Sequence, residues 1–98
     1  MWRQGDIFLA RATSIPREAE PRPDCVLAEG ELTGHSHRVA ERGAARLYAD
    51  GPSLYLEVLA GSARVVHDEH GPVTLPRGVY RVWRQREYTP QAIRFVGD

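Results

Sequence analysis

Apolar and polar residues alternate along much of this chain with a period of two, the repeat that sends successive side chains to opposite faces of a β-strand. The pattern is clearest where Leu54, Leu56 and Val58 alternate with Tyr55, Glu57 and Leu59. Residues 78–88 form the longest predicted strand, with Val79, Arg81, Trp83 and Gln85 on one face and Tyr80, Val82, Arg84 and Arg86 on the other. Shorter strands are predicted at 6–12, at 25–28 running on towards 35–39, and at 45–49, 63–66 and 92–96. Gly30, Gly34 and Gly61 read as breaks, Asp50-Gly51-Pro52 as a strong turn, and a proline-containing turn precedes residue 78. Residues 14–24 carry Pro16, Pro21 and Pro23 among charges, which forbids a helix, disfavours a central strand and predicts a long surface loop. No stretch has a helical repeat with caps at both ends. Seven or eight short strands predict an all-β fold: a small antiparallel β-barrel or sandwich spanning 1–98 as a single domain.

Composition narrows the picture. The chain has 98 residues, one small domain's worth, and its 13 basic residues are all Arg, balanced by 13 acidic ones. A net charge of +0 argues against a protein devoted to non-specific DNA binding, while leaving room for a local Arg-rich face. The single cysteine, Cys25, excludes an internal disulfide framework and a Cys-rich zinc site, and beside Val26 and Leu27 it reads as packing. No apolar run approaches the roughly 20 residues that cross a bilayer, and Met1 leads into Trp2 and Arg3 rather than a signal-peptide core. A soluble, cytoplasmic protein with no membrane partner is expected. There is no glycine-rich phosphate loop, nucleophile elbow or dinucleotide fingerprint.

The candidate chemistry lies in the histidines. All four fall in two short groups, His35-Ser36-His37 and His67-Asp68-Glu69-His70. On a strand, His35 and His37 share a face, with Ser36 and Arg38 on the other. His67 and His70 cannot share a face of a regular strand, so a bend near Gly71-Pro72 is needed to bring them together. Imidazoles with nearby carboxylates (Glu41, Asp68 and Glu69) favour a divalent transition metal such as Zn, Fe, Ni or Mn. The same imidazoles also suit metal-free proton transfer at neutral pH.

The segment Gly30-Glu31-Leu32-Thr33-Gly34-His35-Ser36-His37-Arg38-Val39-Ala40-Glu41 resembles the first cupin motif, a glycine before His-x-His with a glutamate following. Gly71-Pro72-Val73-Thr74-Leu75-Pro76-Arg77-Gly78 is similar to the start of the second, where a Pro-x-Gly turn leads into a strand. The resemblance covers roughly residues 30–83. It implies a small β-barrel holding a metal, with His35, His37 and Glu41 as ligands. Arg81 stands where the family has its last histidine, Gln85 where it has an asparagine, and the spacing from Gly30 to His35 is one residue short. Arg81 cannot ligate, because guanidinium has no available lone pair, so His67 or His70 is expected to replace the missing ligand.

Three functions follow as expectations. In the first, the two histidine groups and Glu41 bind one metal, Glu69 or Glu41 is ligand or general base, and Arg38 or Arg81 holds a small anionic substrate. In the second, a metal-independent module binds or cleaves RNA through the histidines with Arg38, Arg86 and Tyr88. In the third, the chain is a non-enzymatic interaction subunit. A homodimer suits all three.

Overall fold

The computed structural model describes residues 1–29 and 35–84, and these form eight antiparallel strands with no helix. The strands are β1 (Trp2–Gln4), β2 (Ile7–Arg11), β3 (Glu20–Pro21), β4 (Val26–Glu29), β5 (Ser36–Val39), β6 (Ala45–Asp50), β7 (Ser53–Val66) and β8 (Val73–Arg84). One sheet runs in the order β1-β2-β8-β7-β5-β4, with β6 on β7 and β3 on β6. The expected all-β antiparallel class is therefore what the chain adopts.

Most inward-facing positions are apolar, as the alternation implies; Gln4 and His37 are the buried polar exceptions among the described residues. Ile7 and Leu9 on β2, Leu56 and Val58 on β7, and Tyr80 and Val82 on β8 are buried side by side, joined by Leu47, Ala63, Val65 and Leu75. The Gln4 side chain on β1 reaches His37 on β5, although β2, β8 and β7 lie between those strands in the sheet. The sheet must therefore curl round its core until its two ends approach. Leu56 is fully buried at the centre. Leu56→Ala is expected to cost about 2–5 kcal/mol, read as a lower denaturant midpoint at unchanged slope.

The details differ from the alternation where the long strands bend. Gly61 does not end a strand; β7 continues through it, and the β7–β8 register shifts between Val58 and Ser62. A bulge there absorbs the bend, which also explains how Pro76, paired with Ser62, lies inside β8 despite lacking an N–H. β8 accordingly starts at Val73 rather than at residue 78. Within the proline-rich stretch, Glu20–Pro21 pairs with β6 alone, an edge position that proline tolerates. The predicted strand at 92–96 and the last residues of 78–88 lie outside the described residues.

Two devices place the histidines. The β1–β2 hairpin turns through Gly5 and Asp6, with Gly5 at φ 58° and no non-glycine residue at positive φ among the described residues. That is the arrangement of a two-residue hairpin with glycine at its first central position. The loop at 67–72, between Val66 and Val73, leaves the strand pattern and carries His67 and His70.

Candidate functional site

His37 sits on β5, pointing inwards and 3% exposed, while Arg38 next to it faces solvent. The His67–His70 loop folds back over it. Ring centroids lie 4.3 Å apart for His37 and His67, 4.7 Å for His67 and His70, and 6.1 Å for His37 and His70. His35 completes the group, 5.7 Å edge-on to His67. Imidazoles from both segments thus meet at one rim of the curled sheet. The bend before Gly71-Pro72 does what the spacing required.

The polar partners fix which nitrogen does what. Gln4 is 2% exposed, and its Nε2 donates to the carbonyls of Val65 at 2.9 Å and Gly71 at 2.8 Å. With both amide hydrogens used on carbonyls, Gln4 Oε1 can only accept, and it takes the Nδ1–H of His37 at 2.9 Å. The Nε2 of His37 lies 3.2 Å from Asp6 Oδ1. Asp6 Oδ2 faces the Arg84 guanidinium at 3.4 Å, and Arg84 also donates to the Glu29 carbonyl. In the second group, Glu69 donates its backbone N–H to His67 Nδ1 at 3.0 Å, so a neutral His67 carries its hydrogen on Nε2. His35 lies 3.2 Å from Glu69 Oε1 through Nδ1 and 3.6 Å from Asp68 Oδ2 through Nε2. Arg38 reaches the Ser36 carbonyl and Asp68.

These surroundings shift two groups. Burial pushes the His37 pKa below the ordinary 6.5, helped by His67 and His70, and the hydrogen bond and charge of Asp6 only partly oppose this. Partial burial pushes Asp6 upwards, but Arg84, its own backbone amide and His37 outweigh it, so the carboxyl ends below its ordinary 3.8. At neutral pH the pair is therefore a carboxylate beside a neutral imidazole.

The remaining sequence candidates fall elsewhere. Glu69 and Arg38 belong to the cluster. Glu41 is held by Arg64, whose Nε and backbone N–H donate to its two oxygens at 2.7 and 2.9 Å, and this depresses its pKa. Glu41 and Cys25 line a cleft of about 510 Å³ that contains none of the four histidines. Burial, then Asp24, push the Cys25 thiol up, and it donates to the Ala45 carbonyl, so it is a packing residue and not a thiolate nucleophile. Arg81 is exposed and pairs in register with Ala10 and Tyr55, on the face opposite the buried Tyr80 and Val82. Phe8 and Trp83 stack at 5.7 Å on that outer face, with Arg3 over Phe8. This aromatic and Arg surface and the imidazoles thus occupy opposite sides of the sheet. Arg86 and Tyr88 lie outside the described residues.

Sequence reasoning missed Asp6 and Gln4. A signal for each exists: Gln4 is a polar residue at an inward position between Trp2 and the apolar Ile7 and Leu9, and Gly5-Asp6 is a turn pair between two strands. Among the described residues no helix is long and apolar enough to cross a membrane. Neither the curated proteins nor the solved structures yield a match to this chain. A family model does match, over residues 3–85, and the chain belongs to that family, described as a domain of unknown function (DUF8820).

Proposed function

We propose that this domain binds one divalent transition metal through imidazoles of the His35-Ser36-His37 and His67-Asp68-Glu69-His70 segments, and offers it to a small anionic ligand. The observation that carries the reading is the convergence of four imidazoles from two distant segments, at centroid spacings of 4.3–6.1 Å. Imidazoles on one tetrahedral zinc would have centroids about 5 Å apart, within that range. Among the described residues, no group of three or more His, Cys, Asp or Glu is arranged to hold a metal ion as the side chains stand. Ligation therefore requires the rings to turn. His67 and His70 lie on a loop, His70 is exposed, and both can turn more cheaply than the buried His37. Bound there, the metal would supply Lewis-acid polarisation of the ligand. Arg38, exposed at the cluster's edge, is the cation placed to attract a negative charge.

The cupin resemblance supports a metal on His35 and His37 in kind. Its glutamate, Glu41, is engaged by Arg64 instead, and the reading does not use it. Glu41→Gln is accordingly expected to leave metal stoichiometry unchanged, checked by zinc titration of the variant. For the wild type, elemental analysis after purification is expected to show about one Zn, Fe, Ni or Mn per chain. Protein that stays metal-free, and takes up none of these ions when they are supplied, would overturn the reading.

One observation favours a second reading. The Glu69 N–H bonded to His67 Nδ1 leaves His67 Nε2–H a donor, while His37 Nε2 carries a lone pair. A base at His37 Nε2 and a hydrogen-bond donor at His67 Nε2, on rings 4.3 Å apart, suit metal-free RNA cleavage, the first taking the 2′-OH proton and the second holding a phosphate oxygen. Under this reading chelator leaves RNA cleavage intact, and His37→Ala and His67→Ala each abolish it.

A further inference from the structure

Resting on the metal reading, we infer that Asp6 of the β1–β2 turn is a carboxylate ligand of the same centre and that Gln4 is its positioning residue. The argument is one of lone pairs. Gln4 Oε1 takes the Nδ1–H of His37, so the lone pair at Nε2 points towards Asp6 Oδ1 at 3.2 Å. Both atoms are acceptors. At that distance they repel unless a proton or a cation lies between them. His67 and His70 stand against the same ring, at 4.3 and 6.1 Å between centroids, so a cation placed there meets further nitrogen donors. A metal fits the spacing: two donors bound at about 2.0–2.1 Å in a tetrahedral site stand about 3.3 Å apart.

The turn contributes more than the carboxylate. Gly5 brings the backbone so close to the loop that a Cβ there would stand 2.6 Å from His70 Nε2. His70 thus presents a nitrogen beside the Gly5-Asp6 turn, a third donor on the side where Asp6 and His37 meet. Arg84 occupies Asp6 Oδ2 and holds the carboxylate while Oδ1 faces His37. Gln4 ties the parts together. Its amide grips the carbonyls of Val65 and Gly71, on either side of the His67–His70 loop, and orients His37 with its third polar contact. A histidine ligand that donates its other N–H to a fixed acceptor is the usual way a protein sets ring orientation and basicity.

The test titrates full-length protein with Zn²⁺ and with Co²⁺, whose visible absorption reports the ligand set. Asp6→Asn is expected to weaken Zn²⁺ binding by at least about 10-fold and to change the Co²⁺ spectrum; Gln4→Met is expected to weaken it by about 10–100-fold with less spectral change. Imidazole ¹⁵N spectra add a readout that a merely structural role would not move: His37 holds its proton on Nδ1 in the wild type and loses that preference in Gln4→Met. Should either variant fail to fold, the wild type still decides the matter. On Zn²⁺ addition the Asp6 ¹³Cγ and His37 Nε2 signals are expected to move together while Nδ1 keeps its proton. An Asp6→Asn protein with wild-type affinity and spectrum, or a wild-type Asp6 signal unmoved by bound Zn²⁺, overturns the inference and leaves the metal reading standing. Wild-type protein that takes up no metal overturns both.

Discussion

Replacing His37 by alanine is expected to abolish metal uptake and to destabilise the metal-free protein as well. Both effects follow from the position of this one ring. It is the buried imidazole of the cluster and contacts His67 and His70, so its removal takes away the donor about which the others gather. It also satisfies Gln4 Oε1, and an acceptor left buried without a partner costs about 1–3 kcal/mol. The empty ring volume adds a cavity beneath the loop. A lost 1 kcal/mol lowers Tm by about 4–8 °C in a domain of this size, so a thermal melt of the apoprotein resolves the effect. Arg81→Ala is the control. Arg81 is exposed on the outer face, and its loss is expected to leave zinc affinity and Tm within error of the wild type. A His37→Ala protein that still binds one zinc at wild-type affinity would show that the ring is not part of the centre.

The parts of this arrangement that could be read from sequence are those carried by local pattern. Alternation located the strands at 6–12 and 45–49 because each has one face in the core, and a one-residue slip would expose Ile7 and Leu9 or Leu47. Clustering of the histidines in two short segments marked the residues that carry the candidate chemistry. Gly61 and Pro76 misled because glycine and proline also mark bulges, and only the pairing of β7 with β8 tells a bulge from a strand end. Asp6 was missed as a site residue for a different reason. It lies about thirty positions from His37, and the two meet only because the curled sheet brings β1 round to β5. Glu41 shows the converse. It lies four residues from His37, yet the chain turns there and Arg64 on β7 takes its carboxylate. Nearness in sequence was a poor guide to membership of the site once the strands ended.

Acid is expected to strip the metal and loosen the fold in the same pH range. In the folded apoprotein the His37 pKa is lowered, chiefly by burial, so above about 6.5 the ring is neutral and its lone pair is free to ligate. Below that value the unfolded chain binds a proton on this histidine before the folded chain does. Stability contributed by a neutral His37 is therefore fully present above about pH 6.5 and falls as pH drops from there towards the lowered folded value, below which the loss is complete. Asp6 has a separate window. Its folded pKa lies below 3.8, so its share of stability persists above that value and disappears only as pH falls through the folded one. Two acid-side losses are thus expected in the apo Tm, the first near neutrality and the second in strong acid. Zinc affinity should follow the first, since protons compete for the ligand nitrogens. The discriminating measurement is the apo Tm between pH 8 and 5 for the wild type and for Asp6→Asn. Without the carboxylate to favour an imidazolium, His37 should be still harder to protonate in the fold, and stability should fall over a wider range of pH. If the wild-type Tm instead rises as pH falls from 7 to 5, the buried pair is an imidazolium and carboxylate, and the place assigned to the metal is held by a proton.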